Sequence, residues 1–273
     1  MVVKKYINGE WAVSDWFSNV SKSYDFVFPF DVGIMAAMKS EVSLIIDNLV
    51  DCEELDIYGL KFYIGTLKSG NSSKNVVIGL SGPGKVNAAL CTMTMVTYLR
   101  PKYILNYGVV GAISSDLNVY DIVIADRVVQ ADIDTTAVGD PVGLVSRINK
   151  VHFESDSMLN SFVNLAMTKF LTKNLVKTKS DRVFVGDVAT TDSFIASDVK
   201  KSEILSNFPE TLVCDMELGA IAQTCLAYEI PFVSVKLISD NADSSANISY
   251  EEVLKCASEV GLLLLKYLLF NID

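Results

Sequence analysis

The chain has 273 residues, half of them apolar, and a formal net charge of −10. That length and apolar fraction can bury a substantial core, which excludes a disordered chain. The acidic balance, with no dense Lys/Arg run, excludes nucleic acid as a principal partner, because phosphate backbones are held by clustered cations.

Residues 1–28 read as an N-terminal extension, and 29–273 as a single domain. In the extension, Tyr6-Ile7-Asn8-Gly9-Glu10-Trp11 carries the Asn-Gly signal of a two-residue hairpin. Trp11, Trp16 and Phe17 are costly to leave in water, so this segment is expected to pack on the domain or on a second subunit. Lys4 and Lys5 precede no long apolar run, so a signal peptide is not expected.

Residues 26–36 then read as a strand, with Pro29 pushing its start to an edge or bulge. Val42, Ile45, Ile46 and Leu49 recur at helical spacing over 39–51. Strands are predicted at 61–67 and 75–80. A helix is predicted over 85–100, with Val86, Ala89, Leu90, Met93 and Val96 as its apolar stripe and Pro101 as its stop. Further strands fall at 103–107, 121–125, 182–188, 211–214 and 232–238, and helices at 155–170, 196–207, 217–228 and 250–270. The last of these contains the most apolar stretch, 260–270. It is too short to span a bilayer and contains Lys266, so it reads as a buried helix. Strands alternating with helices predict an α/β domain, a central mixed β-sheet flanked by helices.

The five cysteines, Cys52, Cys91, Cys214, Cys225 and Cys256, form no C-x-x-C pair. They read as buried free thiols in a reducing compartment, which makes the expected location cytoplasmic.

Several motifs come close and fail. Gly79-Leu80-Ser81-Gly82-Pro83-Gly84-Lys85-Val86 has the glycines and lysine of a P-loop, but Val86 stands where a Ser or Thr would hold magnesium. Pro83 also removes an amide donor, so a tight strand-to-helix turn is the better reading. Asn87 occupies the third glycine position of a dinucleotide fingerprint, so that cofactor is not supported either. His152 is the sole histidine, which rules out a histidine metal cluster, and it reads as a surface residue near a helix start.

Four segments remain where ligands gather at strand ends. Glu41 sits in the first turn of a helix after a strand, where its charge would also suit the helix end. Asn106-Tyr107-Gly108-Val109-Val110-Gly111 ends a strand in glycines that permit close backbone approach. Phe194 and Ile195 follow Asp192-Ser193 in a polar loop, where Phe194 suits either stacking on a flat ring or a helix staple. Cys214-Asp215-Met216-Glu217 and Ile238-Ser239-Asp240 place carboxylates just beyond two apolar strands.

Taken together, these segments resemble the nucleoside phosphorylase and nucleosidase family, and within it the nucleosidases acting on 5′-methylthioadenosine and S-adenosylhomocysteine. The resemblance covers roughly 31–268 and rests on Ala36-Ala37-Met38 with Glu41, on Ser81-Gly82 with Gly84-Lys85-Val86, on Cys214-Asp215-Met216-Glu217 with Ala220-Ile221-Ala222, and on Ile230-Pro231-Phe232 through Asp240 with Ala242-Asp243. It implies hydrolysis of an N-glycosidic bond to adenine and a 5′-modified ribose. Asp240 is then the acid that protonates N7 of adenine, helped by Ser239, and Glu41 the base that activates water. Glu217 binds ribose hydroxyls and Met216 packs on the sugar. Phe194 stacks on adenine while the backbone of Ile195 reads its edge. Ala37, Val109 and Gly111 complete the substrate pocket. No metal or organic cofactor is implied, and a homodimer is.

Phosphorylases of the family hold phosphate with arginines, one just before the glycines. Here Asn106 and Tyr107 precede them, and Glu41 would repel the anion. The chain also departs from the nucleosidases. Val109 replaces a usual Ser, Lys236 a usual Arg, Ala131 a usual His and Val138 a usual Phe, the last two in the segment that shapes the 5′-substituent pocket. A purine nucleoside phosphorylase and a catalytically weakened nucleoside-binding protein on the same fold are the competing expectations.

Overall fold

The computed structural model describes residues 4–7, 10–13, 29–172, 182–242 and 246–271. The first half runs β1 (Lys4–Ile7), β2 (Glu10–Val13), β3 (Val32–Ala36), α1 (Lys39–Asp47), β4 (Val50–Ile57), β5 (Leu60–Ser69), β6 (Ser72–Leu80), α2 (Lys85–Thr94) and β7 (Ile104–Ala112). The second runs β8 (Ile122–Gln130), β9 (His152–Glu154), α3 (Ser157–Thr172), β10 (Val183–Thr190), α4 (Asp198–Asn207), β11 (Thr211–Asp215), α5 (Leu218–Ala227), β12 (Phe232–Asp240) and α6 (Ala246–Asn271).

Among the described residues the strands join in one mixed sheet, in the order β11-β10-β8-β12-β7-β3-β6-β5-β4-β1-β2, with β9 on β8. The sheet also curls until β11 meets β7 again, Cys214 opposite Gly111, so that β7, β12, β8, β10 and β11 close a ring. Alternation along each strand divides the core between the two faces. Val32, Ile34 and Ala36 of β3 face the layer of α1, α3 and α6. Met35 faces the layer of α2 and α5. The predicted α/β class, a mixed sheet flanked by helices, is the class observed.

Side chains lock these layers together at points that matter for the pocket. The Tyr107 ring is fully buried, which contributes about 1.5–3 kcal/mol, and its hydroxyl donates to the Ala257 carbonyl of α6 at 2.6 Å. Further along α6, Ser258 Oγ accepts the Leu44 amide at 2.8 Å, tying α6 to α1. Asn106 donates to the Met35 carbonyl at 3.0 Å and accepts from Ser234 Oγ at 2.8 Å, pinning β7 to β3 and β12. Asn106 and Tyr107 are thus structural residues beneath the pocket.

Several local expectations need correction. The helix predicted over 39–51 ends at Asp47, and Val50–Ile57 forms β4, paired with β5. Instead of turning at Gly108, β7 runs on through Gly111 to Ala112. Within the helix predicted over 85–100, Lys85–Thr94 is α-helical and Met95–Leu99 is a π-helical turn. Its buried positions are Ala88, Cys91, Thr92, Thr94, Met95 and Leu99, whereas Val86, Leu90 and Met93 point outward. His152 lies half-buried in β9, edge-on to Phe208 with ring centroids 6.3 Å apart. Cys91, Cys214 and Cys225 are buried free thiols as expected, but Cys52 is exposed.

The hairpin pairs Ile7 with Glu10, and β1 continues the sheet beyond β4. The turn residues Asn8 and Gly9, Trp16 and Phe17, and the packing of Trp11, lie outside the described residues. Among the described residues no helix is long and apolar enough to cross a membrane.

Candidate active site

A cavity of about 330 Å³ opens where β3, β7, β11 and β12 end and the turns after β6 and β10 fold over them. All ten residues singled out from the sequence line it: Ala37, Glu41, Val109, Gly111, Phe194, Ile195, Met216, Glu217, Ser239 and Asp240. Met38, Pro83, Val110, Ser193, Cys214 and Asp215 complete the lining. Pro83 brings the glycine turn into the wall, with Gly82 and Gly84 at φ 75° and 100°, a region open to glycine.

Glu41 lies in the first turn of α1 and is 2% exposed. One carboxylate oxygen accepts the Met38 amide at 2.8 Å and the other the Val109 amide at 3.0 Å. Its pKa is raised by burial, while the Met38 and Val109 amides, the Lys236 charge and the Ala37 amide oppose that rise. The helix-end role and the pocket role therefore coincide in one side chain. Glycine at 108 is required by this contact, because a Cβ there would lie 2.8 Å from Glu41 Oε1.

Asp240 ends β12 and is 1% exposed. Its Oδ1 accepts the Ala242 amide at 2.8 Å, and its Oδ2 accepts from Ser239 Oγ at 2.7 Å. A Cβ at Gly111 would sit 3.0 Å from Asp240 Oδ1, so this second glycine of β7 makes room for the second carboxylate.

Glu217 is the N-cap residue of α5 and accepts the Gly84 amide at 2.9 Å. Burial, then the neighbouring Asp215 charge, pushes its pKa up to about 7; Lys236 and the Gly84 amide pull the other way. The wall opposite is apolar, formed by Ile195, Met216 and the half-exposed ring of Phe194.

Sequence reasoning gave Asp215 no chemical role and treated Lys236 only as a substitution. In the structure they are one unit, with Lys236 Nζ 2.8 Å from Asp215 Oδ2 and both side chains almost wholly buried. Asp215 also accepts from Thr190 Oγ1 at 2.6 Å and from the Leu218 amide at 3.0 Å, which caps α5. A signal for the pair was present. Lys236 is a lone cation inside the apolar run Phe232–Asp240, and a buried ammonium needs a carboxylate partner.

Residues 31–269 match the family model described as the phosphorylase superfamily. The chain is 36% identical over 241 residues to a 5′-methylthioadenosine/S-adenosylhomocysteine nucleosidase of Staphylococcus haemolyticus, covering 87% of this chain and 100% of that one. Among solved structures, the 5′-methylthioadenosine/S-adenosylhomocysteine nucleosidase of Neisseria meningitidis in complex with methylthio-immucillin-A superposes with a TM-score of 0.79 at 31% identity, covering 87% of this chain and 97% of that one. Futalosine hydrolase of Helicobacter pylori superposes with a TM-score of 0.79 at 27% identity, covering 88% and 97%.

Proposed function

Because the chain belongs to the phosphorylase superfamily and spans its nucleosidase relatives almost end to end, we propose that this pocket hydrolyses the N-glycosidic bond of 5′-methylthioadenosine, S-adenosylhomocysteine or a related 5′-modified adenosine. Adenine and a 5′-modified ribose are the products. The observation that carries the reading is the convergence of Glu41, Glu217 and Asp240 in one cavity beside an apolar wall.

Glycosidic cleavage passes through a cationic ribose, and the leaving purine departs most easily as a neutral base. Asp240 serves as the acid toward N7 and Glu41 as the base toward water at C1′, each a buried and oriented carboxyl. Glu217 accepts ribose hydroxyls, and its charge stabilises the ribose cation. Phe194 and Ile195 take the purine, Met216 packs on the sugar, and Ala37, Val109 and Gly111 close the sides.

Water is favoured over phosphate. Neither arginine nor lysine is among the lining residues, and a phosphate dianion would face Glu41. The test is adenine release from 5′-methylthioadenosine in phosphate-free buffer. Release there is expected. Release only after phosphate is added would make the protein a phosphorylase, and tight nucleoside binding without release would make it a binding protein.

Glu217 supplies a pH signature. A carboxyl that holds its proton up to about pH 7 must lose it before accepting ribose hydroxyls. Nucleoside binding is therefore expected to tighten as pH rises toward that value and then to level off. Well below the pKa, KM should climb about tenfold per pH unit. Glu217→Gln should flatten that slope, and a wild-type KM that is flat across this range would remove Glu217 from ribose recognition.

We further place the protein in the cytoplasm as a homodimer, with residues 1–28 as an extension of a domain at 29–273. Four free cysteines among the described residues support a reducing compartment. Support for a second copy comes from the outward apolar positions Val86, Leu90 and Met93 on α2. Leu90 and Met93 line a cleft with Ala89, Ala227 and Tyr228, the kind of patch that marks an interface.

A further inference from the structure

The near-P-loop lysine has no part in the chemistry above, yet its side chain is mostly buried, 15% exposed, two residues beyond Pro83 of the cavity wall. Lys85 Nζ donates to Asp132 Oδ1 at 2.6 Å. The other oxygen of Asp132 accepts the Asp192 amide at 2.8 Å. Asp192 in turn accepts the backbone amide of Lys85 at 2.7 Å, so it caps α2 from a distant loop. The three residues form a closed ring of contacts. It joins the start of α2, the segment after β8, and the loop 191–195 after β10.

That loop carries the apolar wall of the pocket. Ser193, Phe194 and Ile195 follow Asp192 directly. The Thr191 hydroxyl also donates to the Ser193 carbonyl at 2.8 Å, the Thr191 amide donates to the Asp215 carbonyl at 3.0 Å, and Ile195 packs into a core cluster with Ile113, Ile204 and Phe208. Phe194, next to Ile195, is 45% exposed. The Gly84 amide, one residue before Lys85, is meanwhile committed to Glu217. The lysine therefore stands between the ribose carboxylate and the purine loop.

We propose that Lys85 is a positioning residue for the purine end of the pocket: through Asp132 and Asp192 it fixes the loop bearing Phe194 and Ile195, and so sets how tightly the nucleoside is held. This rests on the reading of the pocket as an adenosine-type site. Lys85 touches no reacting atom, so the effect falls on binding and leaves bond cleavage in the bound complex nearly unchanged. The closed network also accounts for a lysine kept in a turn that binds no triphosphate.

The test uses the full chain and the variants Lys85→Met, Lys85→Arg and Asp132→Asn. Adenine release from 5′-methylthioadenosine gives KM and kcat, and hydrogen exchange of the free protein reports opening of 191–195. Lys85→Met is expected to raise KM by roughly tenfold or more, with kcat within about threefold, as misplacement of a binding wall does. Amide exchange in 191–195 should quicken. Asp132→Asn keeps the side-chain shape and should move both readouts the same way, while Lys85→Arg restores the charge pair and should recover most of each. Unchanged exchange in the Met and Asn variants overturns the proposal, as does faster exchange with unchanged KM, or a fall confined to kcat. If wild type releases no adenine, the functional reading fails by itself, and the exchange comparison still decides whether Lys85 holds the loop.

Discussion

Asp240→Asn is expected to lower kcat for adenine release by at least ~10²-fold, the low end for a positioned acid or base. The substitution isolates proton transfer because it preserves nearly everything else. Asparagine has the same shape, and its carbonyl oxygen can still accept the Ala242 amide. On the other side Ser239 Oγ can turn its proton to the Val110 carbonyl, 3.1 Å away, and accept from the new amide group. What asparagine cannot do is release a proton to N7. The variant should melt near the parent temperature and bind nucleoside, yet turn over slowly in phosphate-free buffer. A kcat near that of wild type would take Asp240 out of the chemistry. Glu41→Gln is a harsher change, since both glutamate oxygens accept backbone amides and a glutamine would aim its amide group at one of them.

Lys236→Met should cost stability as well as rate. Asp215 and Lys236 are out of water, and stranding one member of a buried pair is destabilising by about 3–5 kcal/mol. For a chain of this size that lowers Tm by roughly 10 °C. Adding Asp215→Asn to the same chain should recover much of the loss, because the penalty is the uncompensated charge. The rate effect has a definite sign. Lys236 favours the ionised forms of both Glu41 and Glu217, so its removal raises both pKa values and moves the rising limb of the rate profile to higher pH. Thermal melts of the single and double variants at neutral pH check the first claim, and a Tm within about 2 °C of the parent, less than 1 kcal/mol, would defeat it.

Much of the architecture was legible because apolar runs alternate with amphipathic stretches, and every strand beyond β3 except β4 and the short β9 was anticipated in kind. β4 was invisible for a physical reason. Its sequence, Val-Asp-Cys-Glu-Glu-Leu-Asp-Ile, is largely charged, and it becomes a strand by pairing with β5 rather than by any pattern of its own. Gly108 and Gly111 misled for the opposite reason. Glycine usually breaks a strand, but these two stay within β7 because the space of a missing Cβ is filled by Glu41 and Asp240. Over α2 and the π-helical turn after it two apolar stripes compete, and only packing shows that Ala88, Cys91 and Met95 face inward. The ten pocket residues were named by family resemblance and meet in one cavity. Local pattern placed carboxylates at strand ends and left Glu41 and Phe194 open to structural roles as well. The Lys236–Asp215 pair and the Lys85 ring depend on contacts 21, 47 and 107 residues apart, which no local pattern reports.

The carboxylates credited with base and acid work both lean on one strand. Glu41 rests on Gly108 and Val109, and Asp240 on Gly111, three residues further along β7. At the usual rise that is a span of about 10 Å, drawn on a strand paired with β3, β11 and β12. β7 is in effect a ruler: the two ends of the reaction cannot drift apart or together without breaking the middle of the sheet. Whatever adapts to a different nucleoside has to be the tethered loops above it. On the proposed reading, the fold separates a stiff floor that sets the reaction from a rim of loops that meets the substrate, and selectivity is expected to be retuned at the rim while the floor stays as it is.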